Sequence, residues 1–227
     1  MLARLNSYYT RKLAARRYAS IYHKYRDYTM ISKHVYAANL ELAHTISQLG
    51  GDVVECGVWK GGMIAGLAEV LGRKRRYVLC DSFAGLPPAK PIDGKMAIAW
   101  QEDVTGNSFH NNCTAAEVDA RRAMSLSPAN RVTIVSGWFE NTLSDISFPD
   151  GIALLRLDGD WYDSTMACLR SLYRHVVPGG LVMIDDYYQW DGCARAVHEF
   201  ILSEGIVDRI FQWENLVCFI RRSPRLS

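Results

Sequence analysis

Five short hydrophobic runs separated by helix-like stretches, then two more runs with only Glu214 and Asn215 between them, constrain this chain more than any other feature. The runs cover 52–58, 76–82, 131–137, 152–160 and 180–187. Helical patterns fall between or beside them at 31–50, 62–72, 113–126, from the end of the fourth run through Tyr173, and at 193–205. Strands that re-enter a sheet through helices cross over right-handed and lie parallel, so these five runs predict one parallel sheet with helices on both faces. Strands joined by two residues can pair only antiparallel, so 207–213 and 216–222 predict a closing hairpin. The expected fold class is α/β, a seven-stranded, mostly parallel sheet with a C-terminal antiparallel hairpin.

At 227 residues and 49% hydrophobic content the chain can bury a core as one domain. A net charge of +2 argues neither for nor against polyanionic partners. Basic residues crowd the opening, where no acidic residue precedes Asp27 and tyrosines alternate with Lys and Arg. One such segment reads as an amphipathic helix whose Tyr, Leu and Ile side packs on the domain or on a second copy, giving a possible homodimer through the N-terminal helices. Nucleic-acid or membrane-surface contact would need more than one helix of this kind. Residues 1–50 are expected to form a helical extension. The six cysteines show no C-x-x-C spacing, and Cys56, Cys80 and Cys218 sit inside hydrophobic runs as small hydrophobes. No apolar signal segment opens the chain and no 18-residue apolar run follows, so the expectation is a cytoplasmic protein without a membrane span.

Between the second run and the next helix lies a Pro- and Gly-punctuated stretch, 83–112. Insertions of that length inside a compact domain are usually functional, and this one is expected to be a lid.

Ligands of open parallel sheets bind beyond the carboxyl ends of the strands. The first run ends in VVECGVWKGG, which lacks the G-x-G-x-x-G of a dinucleotide loop. Gly57 permits close backbone approach, and Gly61 and Gly62 open the next helix. Glu55, two positions before Gly57, would repel phosphate and attract a cation, which suits the sulfonium and ammonium of S-adenosylmethionine. Asp81, followed by Ser82, ends the second run where ribose hydroxyls would lie. Gly137 and Trp138 end the third, where an indole could stack on adenine or simply fill core.

The fourth and fifth runs exit in carboxylates: Asp158 and Asp160 in LLRLDGDWYDS, Asp185 and Asp186 in LVMIDDYY. Asp163 or Ser164 can cap the next helix. Capping does not explain the other four, which would repel one another in one crevice. A hard divalent cation with oxygen ligands explains them, and Mg²⁺ keeps waters beside a few carboxylates. Such an ion lowers the pKa of a bound hydroxyl while a nearby carboxylate removes its proton. The two-residue spacing lets either Asp158 or Asp160 reach the ion.

Together GDVVECGVWKGG, DSFAGLPP, GWFENTL, LLRLDGDWYDSTMACLRSLY, VPGGLVMIDDY and CARAVHEF, with TMIS and NLELA upstream, resemble the macrocin O-methyltransferase (TylF) family. Its members methylate sugar hydroxyls of natural products using S-adenosylmethionine and Mg²⁺. The resemblance spans roughly 28–222 and implies a class I methyltransferase (Rossmann-like) fold with strand order 3-2-1-4-5-7-6. It implies Asp158, Asp185 and Asp186 as metal ligands and Asp160 as general base. It also implies Glu55, Gly57, Gly61, Asp81 and Ser82 as cofactor positions, with Gly137 and Trp138 on the adenine side. The stretch after Pro88 and the closing WENLVCFIRRS depart from the family pattern, which leaves the sugar acceptor, a natural-product glycoside or a glycan, open. A catechol-type enzyme acting on an aromatic diol and a non-catalytic cofactor-binding protein are the competing readings.

Overall fold

A computed structural model describes residues 16–222. Seven strands form one sheet: β1 (Asp52–Cys56), β2 (Arg76–Asp81), β3 (Arg131–Ser136), β4 (Ile152–Leu157), β5 (Val176–Ile184), β6 (Ile210–Trp213) and β7 (Leu216–Ile220). Their order is β3-β2-β1-β4-β5-β7-β6. β1 to β5 run parallel, while β7 pairs antiparallel with both β5 and β6, as the short Glu214-Asn215 connection requires.

Alternation along the strands divides the core. Val53, Leu154, Leu181 and Met183 face one side, packed under α1 (Ala19–Tyr25), α2 (Lys33–His44), α3 (Gly62–Leu71) and α5 (Glu117–Leu126). Val54, Leu155, Val182 and Ile184 face the other, under α7 (Tyr162–Leu172) and α8 (Asp191–Ser203). Both faces of the central strands are therefore apolar, which is why β1 and β4 read as continuous hydrophobic runs. All six cysteines are free thiols, and all but Cys113 are buried.

Several strands stop before the hydrophobic-run boundaries, for a common reason. Gly57 N–H still donates to Cys80 O, Gly137 N–H to Asp81 O, Asp158 N–H to Cys56 O and Asp185 N–H to Leu157 O, at 2.8 to 3.0 Å. One last ladder bond pins each residue to the sheet's edge, and the chain then turns away. β5 instead starts earlier than its run, at Val176, because the sheet absorbs Pro178 and Gly179 in a register shift opposite β4.

The insertion at 83–112 contains a helix that its Pro and Gly content hides, α4 (Lys95–Glu102). Ala97 is fully buried and the Trp100 indole meets Trp161 and Trp190 edge-on at 6.1 and 5.9 Å. Asp93, also buried, accepts the Tyr162 N–H at 2.7 Å and so satisfies a free donor at the start of α7. The helix expected over 113–126 begins only at Glu117, since His110, Asn111, Asn112 and Cys113 all take left-handed backbone. A further short helix, α6 (Phe139–Thr142), follows β3.

At the N-terminus Tyr18 and Tyr25 are buried against the domain's own core, and the Tyr25 hydroxyl donates to Glu69 Oε1 at 2.7 Å. The first part of the basic opening, 1–15, lies outside the described residues. No described helix is long and apolar enough to cross a membrane.

Candidate active site

The strand exits line a cleft of two lobes, of about 660 and 1070 Å³, both open to solvent. Asp81, Ser82, Gly137 and Trp138 line the first; Glu55, Asp185, Asp186, Trp100, Trp190 and Asn215 line the second. Gly57, Trp59, Cys113, Asp158 and Asp160 border both and so mark where the lobes meet.

Local backbone explains the glycine-rich loop. Gly57 has φ +85°, and a Cβ there would lie 1.7 Å from the Asp158 carbonyl oxygen. Its missing side chain is what lets the exits of β1 and β4 touch. Asp81 then holds the loop after Gly57, accepting the Val58 and Trp59 N–H groups on Oδ2 at 2.8 Å each and the Phe83 N–H on Oδ1 at 2.7 Å. Gly61 and Gly62 line neither lobe; a Cβ on Gly62 would meet the Tyr28 carbonyl at 2.5 Å, so that glycine admits the turn after α1. Glu55 is buried with Oε2 unpartnered on the second lobe, an orphaned acceptor that fits a cationic ligand group.

Among the carboxylates, Asp158, Asp160 and Asp186 each offer an oxygen, all within 4.8 Å of one another. Asp160 sits at φ +56°, its N–H donating to Asp186 Oδ2 at 3.0 Å and its Oδ1 accepting the Trp190 indole N–H at 2.9 Å. Asp185 turns to a different partner. Arg156, fully buried on β4, donates through Nη1 to Glu55 Oε1 and Asp158 Oδ2, each at 2.7 Å. Its Nη2 lies 2.9 Å from Asp185 Oδ1, an ion pair whose direction falls outside hydrogen-bond geometry.

Burial, and then the neighbouring Asp158 charge, push Asp160 up to about 7. Burial raises Asp185 to about 6 although Arg156 pulls it down, and raises Glu55 to about 7 against the same pull. Asp186 is also raised, by burial and by Asp160. One guanidinium thus leaves the group short of positive charge. The donor set is all carboxylate oxygen, and the Asp158, Asp160 and Asp186 oxygens, within 4.8 Å of one another, need close by only a few tenths of an ångström to share one Mg²⁺ at about 2.1 Å per bond. Because Asp160, Asp185 and Glu55 hold protons more tightly folded than unfolded, their contribution to stability is greatest at low pH. It is lost as pH rises from about 4 through about 7. The expected outcome is a rise in Tm on adding Mg²⁺ that is larger at pH about 8 than at about 5.5. An equal rise at both would show that the ion does not compensate these groups.

Sequence reasoning placed Glu55, Gly57, Asp81, Ser82, Gly137, Trp138 and the four aspartates at strand exits, and all of them line the cleft. It did not select Arg156, Asn39 or Trp190. An arginine inside the otherwise apolar LLRL was the available signal, since a buried strand carries a charge only when it is paired.

The profile of the macrocin-O-methyltransferase (TylF) family matches residues 8–222. The 8-demethyl-8-(2,3-dimethoxy-alpha-L-rhamnosyl)-tetracenomycin-C 4'-O-methyltransferase of Streptomyces olivaceus is 34% identical, over 76% of this chain and 66% of the relative. The mycinamicin III 3''-O-methyltransferase of Micromonospora griseorubida is 32% identical, over 76% of this chain and 69% of the relative. The chain thus spans about two thirds of the length of these curated relatives. The solved structure of the O-methyltransferase NovP superposes with a TM-score of 0.69 at 29% identity, covering 86% of this chain and 83% of that one. Strand order, closing hairpin and family match agree: the chain has the class I methyltransferase fold and belongs to the macrocin-O-methyltransferase (TylF) family, a family of enzymes.

Proposed function

We propose that this protein is an S-adenosylmethionine- and Mg²⁺-dependent O-methyltransferase acting on a sugar hydroxyl of a natural-product glycoside. The observation that carries the proposal is the convergence of Asp158, Asp160 and Asp186 where the two lobes meet. The lobe with Asp81, Ser82, Gly137 and Trp138 is assigned to the adenosine half of S-adenosylmethionine, and Glu55 to its cationic end. The lobe with Trp100, Trp190 and Asn215 is assigned to the acceptor. Asp158 and Asp186 of that cluster, with Asp185 of the same lobe as third ligand, would hold Mg²⁺, which when bound acidifies and orients a coordinated hydroxyl. Asp160 is the base: it takes the hydroxyl proton while the oxygen gains the methyl group and S-adenosylhomocysteine leaves. Trp190 keeps Asp160 Oδ1 oriented. The insertion at 83–112 closes over the acceptor as a lid, docked through Asp93 and Trp100. Free, mostly buried thiols fit a reducing cytoplasm.

The test uses labelled S-adenosylmethionine with glycosides bearing vicinal hydroxyls, and with a catechol, in Mg²⁺ and in EDTA. The expected result is transfer to a glycoside that stops in EDTA and returns with excess Mg²⁺. Asp185→Asn should abolish turnover while S-adenosylmethionine binding stays measurable by calorimetry. Undiminished transfer in EDTA, or by that variant, would overturn the metal. Transfer to the catechol alone would overturn the acceptor class, and cofactor binding with no transfer to any diol would return the chain to a binding role.

A further inference from the structure

Two features of the sequence have no part in that chemistry: the NLELA segment of α2 and the arginine of RLDGD. The fold joins them directly behind the carboxylates. Asn39 and Arg156 are both fully buried. Asn39 is fixed by its own Nδ2, which donates to Val35 O at 2.9 Å, one turn back along α2. Its Oδ1 accepts the Arg156 Nε–H at 3.1 Å. The other side of the guanidinium carries Glu55, Asp158 and Asp185, from the exits of three adjacent strands. An unbroken series of contacts, centred on the buried Asn39 and Arg156 side chains, therefore leads from the α2 backbone to two of the proposed ligands.

We propose that Asn39 and Arg156 form a brace that positions Asp158 and Asp185 for the divalent cation, an inference that rests on the metal reading above. Two effects oppose each other here. The positive charge of Arg156 repels a cation, so by charge alone its loss would tighten binding. Its fork, however, holds carboxylates that would otherwise separate, since like charges at neighbouring strand exits favour rotamers turned apart. Asp160 and Asp186 need no such help, because Trp190 and the Asp160 N–H orient them. The brace serves the pair that lacks those partners. Lysine cannot replace it, for an ammonium has no planar fork to span Asn39, Glu55, Asp158 and Asp185 together. Partners behind a metal ligand typically change metal affinity about 10- to 100-fold when removed.

The experiment titrates Mn²⁺ into the intact protein by electron paramagnetic resonance. Wild type is compared with Arg156→Lys, which keeps the charge, and Asn39→Ala, which keeps every charge and removes only the anchor. Thermal melts and cofactor calorimetry without metal run alongside. The expected result is Mn²⁺ binding about 10- to 100-fold weaker in Arg156→Lys and several-fold weaker in Asn39→Ala. In Asn39→Ala, which leaves the Arg156–Glu55 contact in place, cofactor affinity should stay within about twofold and raised Mg²⁺ should restore kcat. Wild type that binds no Mn²⁺ would sink the metal reading and the brace with it. Wild type that binds, with both variants binding as tightly or more tightly, would overturn the brace alone. If Arg156→Lys fails to fold, Asn39→Ala decides the matter by itself.

Discussion

Asp160→Asn is expected to lower the methyl-transfer rate by about 10²- to 10⁴-fold, the range ascribed to a positioned general base, with cofactor affinity unchanged. The substitution is clean for structural reasons. Asp160 occupies left-handed backbone at φ +56°, a conformation that Asn tolerates better than most residues. An amide oxygen can still accept the Trp190 indole N–H that now reaches Asp160 Oδ1 at 2.9 Å. What the amide cannot do is take a proton. Single-turnover transfer at saturating S-adenosylmethionine, with circular dichroism as the check on folding, measures the effect. A rate within a few-fold of wild type would remove Asp160 from the base role and leave Asp158, the other carboxylate of the RLDGD run, as the candidate. Asp160→Ala would be a poorer probe, because it also strands the indole N–H and strains the turn.

Gly57→Ala should produce the largest loss of stability, about 4 kcal/mol or more in urea denaturation. The added Cβ would lie 1.7 Å from the Asp158 carbonyl oxygen and 2.7 Å from its carbon, both backbone atoms that no rotamer change can move. Positive φ adds about 1–2 kcal/mol of its own. Gly72→Ala separates the two contributions, since Gly72 has φ +87° and a Cβ there would meet nothing within 4 Å. That control is expected to cost only the backbone share, about 1–3 kcal/mol for glycine-only backbone at φ +87° and ψ 169°. If the two variants proved equally stable, the Asp158 turn would have to retreat from β1 freely, and the close contact would not be what joins the strand exits.

Much of the architecture follows from local pattern alone. Runs such as DVVEC and IALLRL point hydrophobic residues to both faces, which only a central strand covered by helices satisfies, and Glu214-Asn215 is too short for anything but a hairpin. The acidic exits were legible for the same reason, because charge at the end of a buried run must face a cleft. The insertion was harder: α4 hides between Gly94 and Asp103, and its packing on Trp161 and Trp190 depends on residues more than sixty positions away.

By itself, then, the sequence determined the succession of strands, the helices that link them apart from α4 and α6, the antiparallel end of the sheet and the residues that crowd its carboxyl edge. These depend on periodicity and connection length, which act between near neighbours. Tertiary structure alone decided that Asn39 would meet Arg156 across 117 positions, that Arg156 would take Asp158 and Asp185 while Trp190 took Asp160, and that Gly57 would serve the Asp158 turn. Those pairings follow from which strands lie adjacent and from the need of each buried charge for a partner, and neither is set until the sheet has assembled.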